Sequence, residues 1–170
     1  SGLLYRYAAL LTINNKKKNF IKFLEIKFKK LNYKKIEKIN LHTPEISRVS
    51  AKIAKVRNVR NILKRYQISF ARKFKNCCIE GRDISTKILP NSDVKFFFVC
   101  NLNTAAKRRY KQLKKNNKKL KLKDVKKALR IRNLSDTKRK NSPLLKHVDS
   151  VVIDTGKLDK KAMLLKMSNQ

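Results

Sequence analysis

Residues 94–100 read VKFFFVC, a continuous apolar run of the kind that forms a buried strand. Two similar runs, CCIEG at 77–81 and SVVIDT at 150–155, lie before and after it. Between VKFFFVC and SVVIDT, apolar residues recur at helical spacing over 104–115 and 122–134. Strands that alternate with helices predict an α/β fold, with a parallel sheet whose strands are covered on both faces.

The first part of the chain contains two different patterns of apolar residues. Over residues 3–14 they recur at helical spacing, which predicts a helix. Over residues 23–41, FLEIKFKKLNYKKIEKINL, apolar and charged residues tend to alternate. That alternation predicts two short strands joined near Asn32.

Capping residues mark the starts of two further helices. Thr43 before Pro44 is typical of a helix start, because the threonine side chain can cap and proline is tolerated in the first turn. We expect helix to continue from there, with one break, to about Lys73. Asp159 is a similar cap for a last helix over residues 160–167.

The chain has 170 residues, and 46 lysines and arginines against 11 acidic residues give a formal charge of +35. Such a charge favours a nucleic-acid partner, since neutralising phosphates releases counterions. However, the lysines are spread along almost the whole chain beside abundant Asn and Ile, whose codons can be built almost wholly from A and T. A coding bias is therefore favoured over a selected basic surface as the source of the charge, and a basic RNA-binding or ribosomal protein remains an alternative that charge alone supports.

The composition argues against a glycine-rich phosphate-binding motif and against a membrane-spanning helix. The three glycines, at positions 2, 81 and 156, are too far apart for a GxxxxGK[ST] or GxGxxG phosphate-binding motif. No run of 18 apolar residues occurs, so no membrane-spanning helix is expected. The chain begins SGLLYRYAALL without Met or a signal-peptide pattern, so we expect its front to have been cut from a longer sequence.

The three cysteines show no metal-binding pattern. Cys77 and Cys78 are neighbours and Cys100 stands alone, without a CxxC pair or a histidine cluster. Neighbouring side chains on an apolar strand point to opposite faces, so we expect Cys77 and Cys78 to be small buried hydrophobic residues. This cysteine usage is typical of a reduced, cytoplasmic protein.

The turn after CCIEG is the first candidate binding site. Ligands of open parallel sheets bind just beyond the carboxyl ends of strands. There the chain has Gly81, Arg82 and Asp83, in which a guanidinium and a carboxylate could hold a phosphate and a base or sugar edge together. A surface Arg–Asp pair in a turn is the alternative.

A second candidate lies near the end of the predicted helix that begins at 122. Arg132, Asp136 and Arg139 are spaced i, i+4, i+7, which would place them along one helix face, and Pro143 follows as a stop. Acids are scarce in this chain, so Asp136 between two arginines is either a local ion pair or a ligand clamp.

Four stretches, in this order, resemble the bacterial cytidylate (CMP) kinase family. They are SGLLYR at 1–6, EGRDISTKILPNSDVKFFF at 80–98, AAKRRYKQL at 105–113, and RIRNLSDTKRKNSPL at 130–144 followed by VDSVVIDTGKL at 148–158. The resemblance covers nearly the whole chain and is weakest over residues 15–42.

The resemblance implies a P-loop nucleoside monophosphate kinase fold, with a five-stranded parallel sheet between helices, a small inserted nucleotide-binding domain and a lid. Residues 1–14 would be a core helix, 15–60 the insert, and 61–170 the α/β core with the lid at about 115–140. The family's phosphate loop and first two strands lie upstream of SGLLYR. We therefore expect these 170 residues alone not to transfer a phosphoryl group.

The resemblance also implies which residues bind the acceptor nucleotide, CMP or dCMP. Ser1, Arg60 and Asp83 would contact the cytosine, and Arg6 and Arg82 would hold its phosphate.

The resemblance also implies which residues contact the ribose of the acceptor nucleotide and the phosphate donor, ATP. Arg132 and Asp136 would meet the ribose, Arg139 would approach the nucleotides from the lid, and Arg132 and Arg139 would be the catalytic arginines. Arg108 is a candidate contact to ATP. The reaction would transfer a phosphoryl group from ATP with Mg²⁺, in a monomer without membrane or nucleic-acid partners.

The chain departs from the family pattern at three places. An arginine that usually precedes the TxE of the insert is His42 here, and one in the lid is Ser135. A serine that usually contacts cytosine is Ala51, so either Ser50 replaces it or one base contact is lost. We expect fewer lid arginines to slow turnover, and a protein that binds CMP without turnover is a third reading if the missing front is natural.

Overall fold

The computed structural model describes residues 1–15, 19–74, 76–115 and 118–170. This part of the chain divides into two compact units, Ser1–Ile84 and Ser85–Gln170. The domain boundaries implied above, at residues 14 and 60, stay predictions. Within the described residues, no helix is long and apolar enough to cross a membrane.

The first unit is helical. Its elements are α1 (Gly2–Ile13), α2 (Phe20–Lys29), α3 (Tyr33–Glu37), α4 (Pro44–Ile53) and α5 (Arg57–Lys73). Helix α1 packs against α4, and α2 packs against α5. Their apolar faces form one core, in which Leu24, Leu41 and Leu63 are fully buried.

The prediction of two strands over residues 23–41 is wrong, since the structure has α2 and α3 there. Leu24 and Phe28, four residues apart, both lie in the core, whereas Ile26 between them is 51% exposed. A strand would place all three on one face, but a helix separates Ile26 from the other two. The short alternation of apolar and charged residues is compatible with a strand or with a helix, and the packing of α2 on α5 favours the helix.

The predicted ends of the helices in the first unit are confirmed. The helix predicted over 3–14 is α1. Thr43 caps α4 by accepting a hydrogen bond from Ile46 N at 3.2 Å. The expected break separates α4 from α5, which ends at Lys73.

The second unit is built around two parallel strands. It contains β1 (Phe96–Val99), α6 (Leu102–Lys114), α7 (Leu122–Lys138), β2 (Val151–Asp154) and α8 (Lys160–Ser168), and a short π-helical turn, Ile84–Ile88, leads into it. β1 pairs with β2 in parallel, with Phe96 opposite Val151. Helix α6 packs against α7, and Asp159 caps α8 by accepting from Ala162 N at 2.8 Å.

Two expectations about the apolar runs are wrong. CCIEG forms no strand, and both Cys77 and Cys78 are exposed. No strand pairs with this run among the described residues, so its backbone has no ladder to join. The paired strands are also not covered on both faces, since Phe98 and Val152 are exposed.

Two alanine substitutions on α2 distinguish the helix from the strand. Leu24→Ala removes a fully buried side chain, so we expect a loss of about 2–5 kcal/mol of unfolding free energy. Ile26→Ala is the matched control and should change it by about 0.5 kcal/mol or less, because its side chain is exposed. Urea unfolding measures both. Equal losses would mean that the two side chains share a buried face, as a strand requires.

Candidate functional site

A buried arginine–aspartate pair lies in the first unit. Arg60 on α5 is 9% exposed, Asp83 in the turn after Gly81 is 6% exposed, and Arg60 Nη2 donates a hydrogen bond to Asp83 Oδ2. Arg60 Nη1 donates to Ala54 O at 3.1 Å, at the C-terminal end of α4. The Tyr5 ring on α1 lies 5.7 Å from the guanidinium carbon. Arg60 therefore joins four segments of the unit.

The environment of this pair explains why both groups are present. A buried charge is costly unless an opposite charge and further hydrogen bonds replace water. Arg60 receives them from Asp83, from the Ala54 carbonyl and from the face of Tyr5. The result is a planar donor beside a planar acceptor, which complements any ligand edge that carries an acceptor next to a donor.

The turn that carries Asp83 packs tightly around Gly81. A Cβ atom at Gly81 would lie 2.6 Å from both Ser1 Oγ and Ile84 Cγ1. Its backbone φ is not positive, so close approach rather than an unusual turn requires glycine here. The Ser1 backbone nitrogen donates to Glu80 O at 2.8 Å. Ser1 thus lies beside the turn, and its contact with the cytosine stays a prediction.

Arg6 fastens the segment before α4 to α1. Its Nη1 donates to Leu41 O and to Ser47 Oγ, both at 2.9 Å. Ser47 Oγ in turn donates to Thr43 O at 2.8 Å. The guanidinium therefore has a structural role at the first turn of α4, and its contact with an acceptor phosphate stays a prediction, as does that of the half-buried Arg82.

The second unit brings Arg132, Asp136 and Arg139 together. Arg132 Nε lies 3.9 Å from Asp136 Oδ2, and Arg139 Nη1 lies 3.5 Å from Asp136 Oδ1. Helix α7 ends at Lys138, so Arg139 is not on the helix face that the spacing predicted. Its backbone is extended, and its side chain turns back toward Asp136.

The segment after α7 holds Arg139 in this position. Arg139 Nε donates to Ser142 O, and Leu144 N donates to Asp136 O at 2.8 Å. Ser142 has a φ of 53°, a left-handed conformation that favours glycine or asparagine over serine. Arg139 Nη2 is buried and has no hydrogen-bond partner among the described residues. This arrangement presents a cationic donor that an anion could satisfy.

The remaining predicted positions lie outside these clusters. Arg108 is exposed on α6, His42 and Ala51 are exposed in the first unit, and Ser50 is half-buried. Ser135 is exposed on α7.

Sequence reasoning missed three residues that position the candidate groups. Tyr5 lies against Arg60, Ser47 holds Arg6, and Ser142 accepts from Arg139. Tyr5 and Ser142 belong to the quoted stretches SGLLYR and RIRNLSDTKRKNSPL, which is the only signal that pointed to them. Ser47 carried none.

Substitution of glycine tests the close packing beside Asp83. Gly81→Ala should lower the unfolding free energy by about 1–3 kcal/mol, because its Cβ would overlap Ile84 and Ser1. Gly2→Ala is the control, since beyond its own helix and chain neighbours the nearest atom to its Cβ would be Glu80 Oε1 at 3.9 Å, and alanine favours helix α1. Thermal and urea unfolding measure both variants, and a Gly81→Ala protein as stable as Gly2→Ala would contradict the packing.

Comparison with known proteins places this chain in a family. A sequence profile described as cytidylate kinase matches residues 1–170. A cytidylate kinase of Rickettsia conorii (strain ATCC VR-613 / Malish 7) is 34% identical over 130 residues, which are 76% of this chain and 59% of the relative. A cytidylate kinase of Rickettsia canadensis (strain McKiel) is 36% identical over 120 residues, 71% of this chain and 55% of the relative.

The chain therefore spans a little over half of the length of the curated relatives it matches, 60% in the case of a cytidylate kinase of Rickettsia akari (strain Hartford). That relative is 34% identical over 131 residues, or 77% of this chain. Because the profile matches the whole chain and the relatives exceed 30% identity, the family is established. The chain belongs to the cytidylate kinase family.

Proposed function

We propose that this protein phosphorylates CMP and dCMP with ATP, giving CDP and dCDP, and that the first unit binds the acceptor base. The observation that carries the proposal is the buried pair of Arg60 and Asp83, at the positions that the family resemblance assigns to cytosine. Membership of the cytidylate kinase family supports the reaction. We also propose that β1 and β2 belong to the parallel sheet of a P-loop nucleoside monophosphate kinase.

The chemistry of the pair favours cytosine over uracil. Cytosine offers an amino donor at N4 beside an acceptor at N3, so its amino group suits the Asp83 carboxylate and its N3 suits the Arg60 guanidinium. Uracil has a carbonyl in place of the amino group and an N–H in place of N3, so both contacts would become repulsive. A site that hydrogen-bonds one pattern rejects the other because buried groups are left unpaired.

The arginines supply the charge that the transfer requires. Phosphoryl transfer depends mainly on positioning and on neutralising charge on the moving group, with little covalent work for the protein. Arg6 and Arg82 would hold the acceptor phosphate. Arg139, with a buried Nη2 lacking a partner among the described residues, and Arg132 would neutralise charge on the nucleotides, while Asp136 orients both side chains.

Mg²⁺ is expected to accompany ATP, whose phosphates would hold it, and the described residues show no preformed cluster for it. They contain no group of three or more His, Cys, Asp or Glu side chains that could hold a metal ion. The two candidate carboxylates, Asp83 and Asp136, are each engaged by arginine. We therefore assign no step of the reaction to a metal held by this chain.

Asp83→Asn tests the base contact through binding alone. The amide keeps the shape but presents an N–H as well as an oxygen, so we expect CMP affinity to fall at least about tenfold and the preference for CMP over UMP to shrink. Titration calorimetry of the 170-residue chain with CMP and with UMP measures both effects.

The control is Glu25→Gln, which neutralises a carboxylate paired with Arg65 on the surface of the same unit. It should leave both nucleotide affinities unchanged. Circular dichroism checks that each variant is folded. A folded Asp83→Asn protein with unchanged CMP affinity and unchanged preference would contradict the assignment of Asp83 to the base.

A further inference from the structure

In the second unit, positive charge is concentrated in one helical hairpin. The basic hairpin, residues 102–139, comprises α6, α7 and the link between them, and it has 16 lysines and arginines but only two acids, Asp124 and Asp136. The other 48 residues of the unit have eight basic and four acidic residues. A coding bias toward lysine would act on both parts alike, so it does not explain this difference.

The charges of the basic hairpin are almost all on the surface. Arg139 is half-buried, and the other 15 basic side chains are exposed. Eight of them form two rows with helical spacing, which we call the α6 row (Lys107, Lys111, Lys114, Lys115) and the α7 row (Lys123, Lys126, Lys127, Arg130). At 3.6 residues per turn, the α7 row lies on the helix face opposite the buried Val125.

The two rows are not neutralised within the protein. None of their eight side chains forms a salt bridge in the part of the chain that the structure describes. Lys114 Nζ lies 5.0 Å from the centroid of the Tyr110 ring, a cation–π contact that leaves its charge unneutralised. Like charges three or four residues apart on a helix repel one another. A ligand with many negative charges would therefore relieve repulsion that the fold itself leaves in place.

We propose that the α6 and α7 rows bind the phosphate backbone of a nucleic acid without reading its bases. Successive turns of a row place charges about 4.5–6 Å apart along the helix axis, because each residue rises about 1.5 Å, and one turn of each row carries two adjacent lysines. A regular series of cations matches a linear polyanion better than a single nucleotide, whose few phosphates could not engage eight side chains. The eight row residues are all lysine or arginine, and the single ring beside them, Tyr110, is too little for successive bases to stack on.

This inference does not depend on the proposed reaction. None of the eight side chains is among the residues assigned to CMP, ATP or catalysis. Binding would arise from counterion release, which makes it steeply dependent on salt.

The test is binding of a fluorescein-labelled 20-nucleotide uridine RNA to the full 170-residue chain, measured by anisotropy from 50 to 200 mM KCl. Eight phosphate contacts to a single strand predict a loss of about three powers of ten in affinity over this range. The α7-row variant carries four substitutions together, Lys123→Gln, Lys126→Gln, Lys127→Gln and Arg130→Gln. Its affinity should fall by less than about two powers of ten over the same salt range, because half of the contacts are gone.

The matched control removes the same charge from exposed helical positions of the first unit, by Lys22→Gln, Lys29→Gln, Lys34→Gln and Lys35→Gln. It should keep the salt dependence of the original chain. Circular dichroism verifies the helix content of both variants.

Three outcomes would overturn the proposal. One is equal weakening by the two variants, which would mean that only net charge matters. Another is no binding of the RNA at 50 mM KCl. The third is binding to phosphatidylglycerol vesicles without binding to the RNA, which would make the rows a membrane-binding surface.

Discussion

The buried pair of Arg60 and Asp83 constrains the first unit more than any other polar interaction described in it. Burying a guanidinium until it is 9% exposed is costly unless other groups replace water on several sides. Asp83, the carbonyl that ends α4 and the Tyr5 ring provide that replacement. Because each partner comes from a different segment, the need to satisfy one charge fixes α1, α4, α5 and the following turn around the same point.

Features set by neighbouring residues could be predicted from the sequence. The caps at Thr43 and Asp159 depend on one side chain and the next three backbone N–H groups, and both form. The pairing of β1 with β2 followed from two apolar runs separated by helices. Helix α2 could not be predicted from the alternation, because the spacing of Leu24, Ile26 and Phe28 is compatible with both a strand and a helix. Only the packing of α2 on α5, which buries Leu24 and Phe28 and leaves Ile26 exposed, distinguishes the two.

Two kinds of information predicted the candidate site: the local geometry of a helix, and the resemblance to a family. Arg132 and Asp136 are one helical turn apart, so their proximity follows from local geometry. Arg60 and Asp83 are 23 residues apart, and only the resemblance to a family linked them before the fold brought them together. The left-handed Ser142, which sets the direction of Arg139, had no local signature beyond Pro143. Long-range contacts of this kind depend on tertiary packing that no short window of sequence contains.

The central claim is that the donor and acceptor of the Arg60–Asp83 pair read the edge of a cytosine. A crystal structure of the chain with CMP is the most direct measurement. We expect the N4 amino group within hydrogen-bond distance of the Asp83 carboxylate and N3 within hydrogen-bond distance of the Arg60 guanidinium. A nucleotide bound elsewhere, or one whose base leaves the buried pair untouched, would contradict the claim.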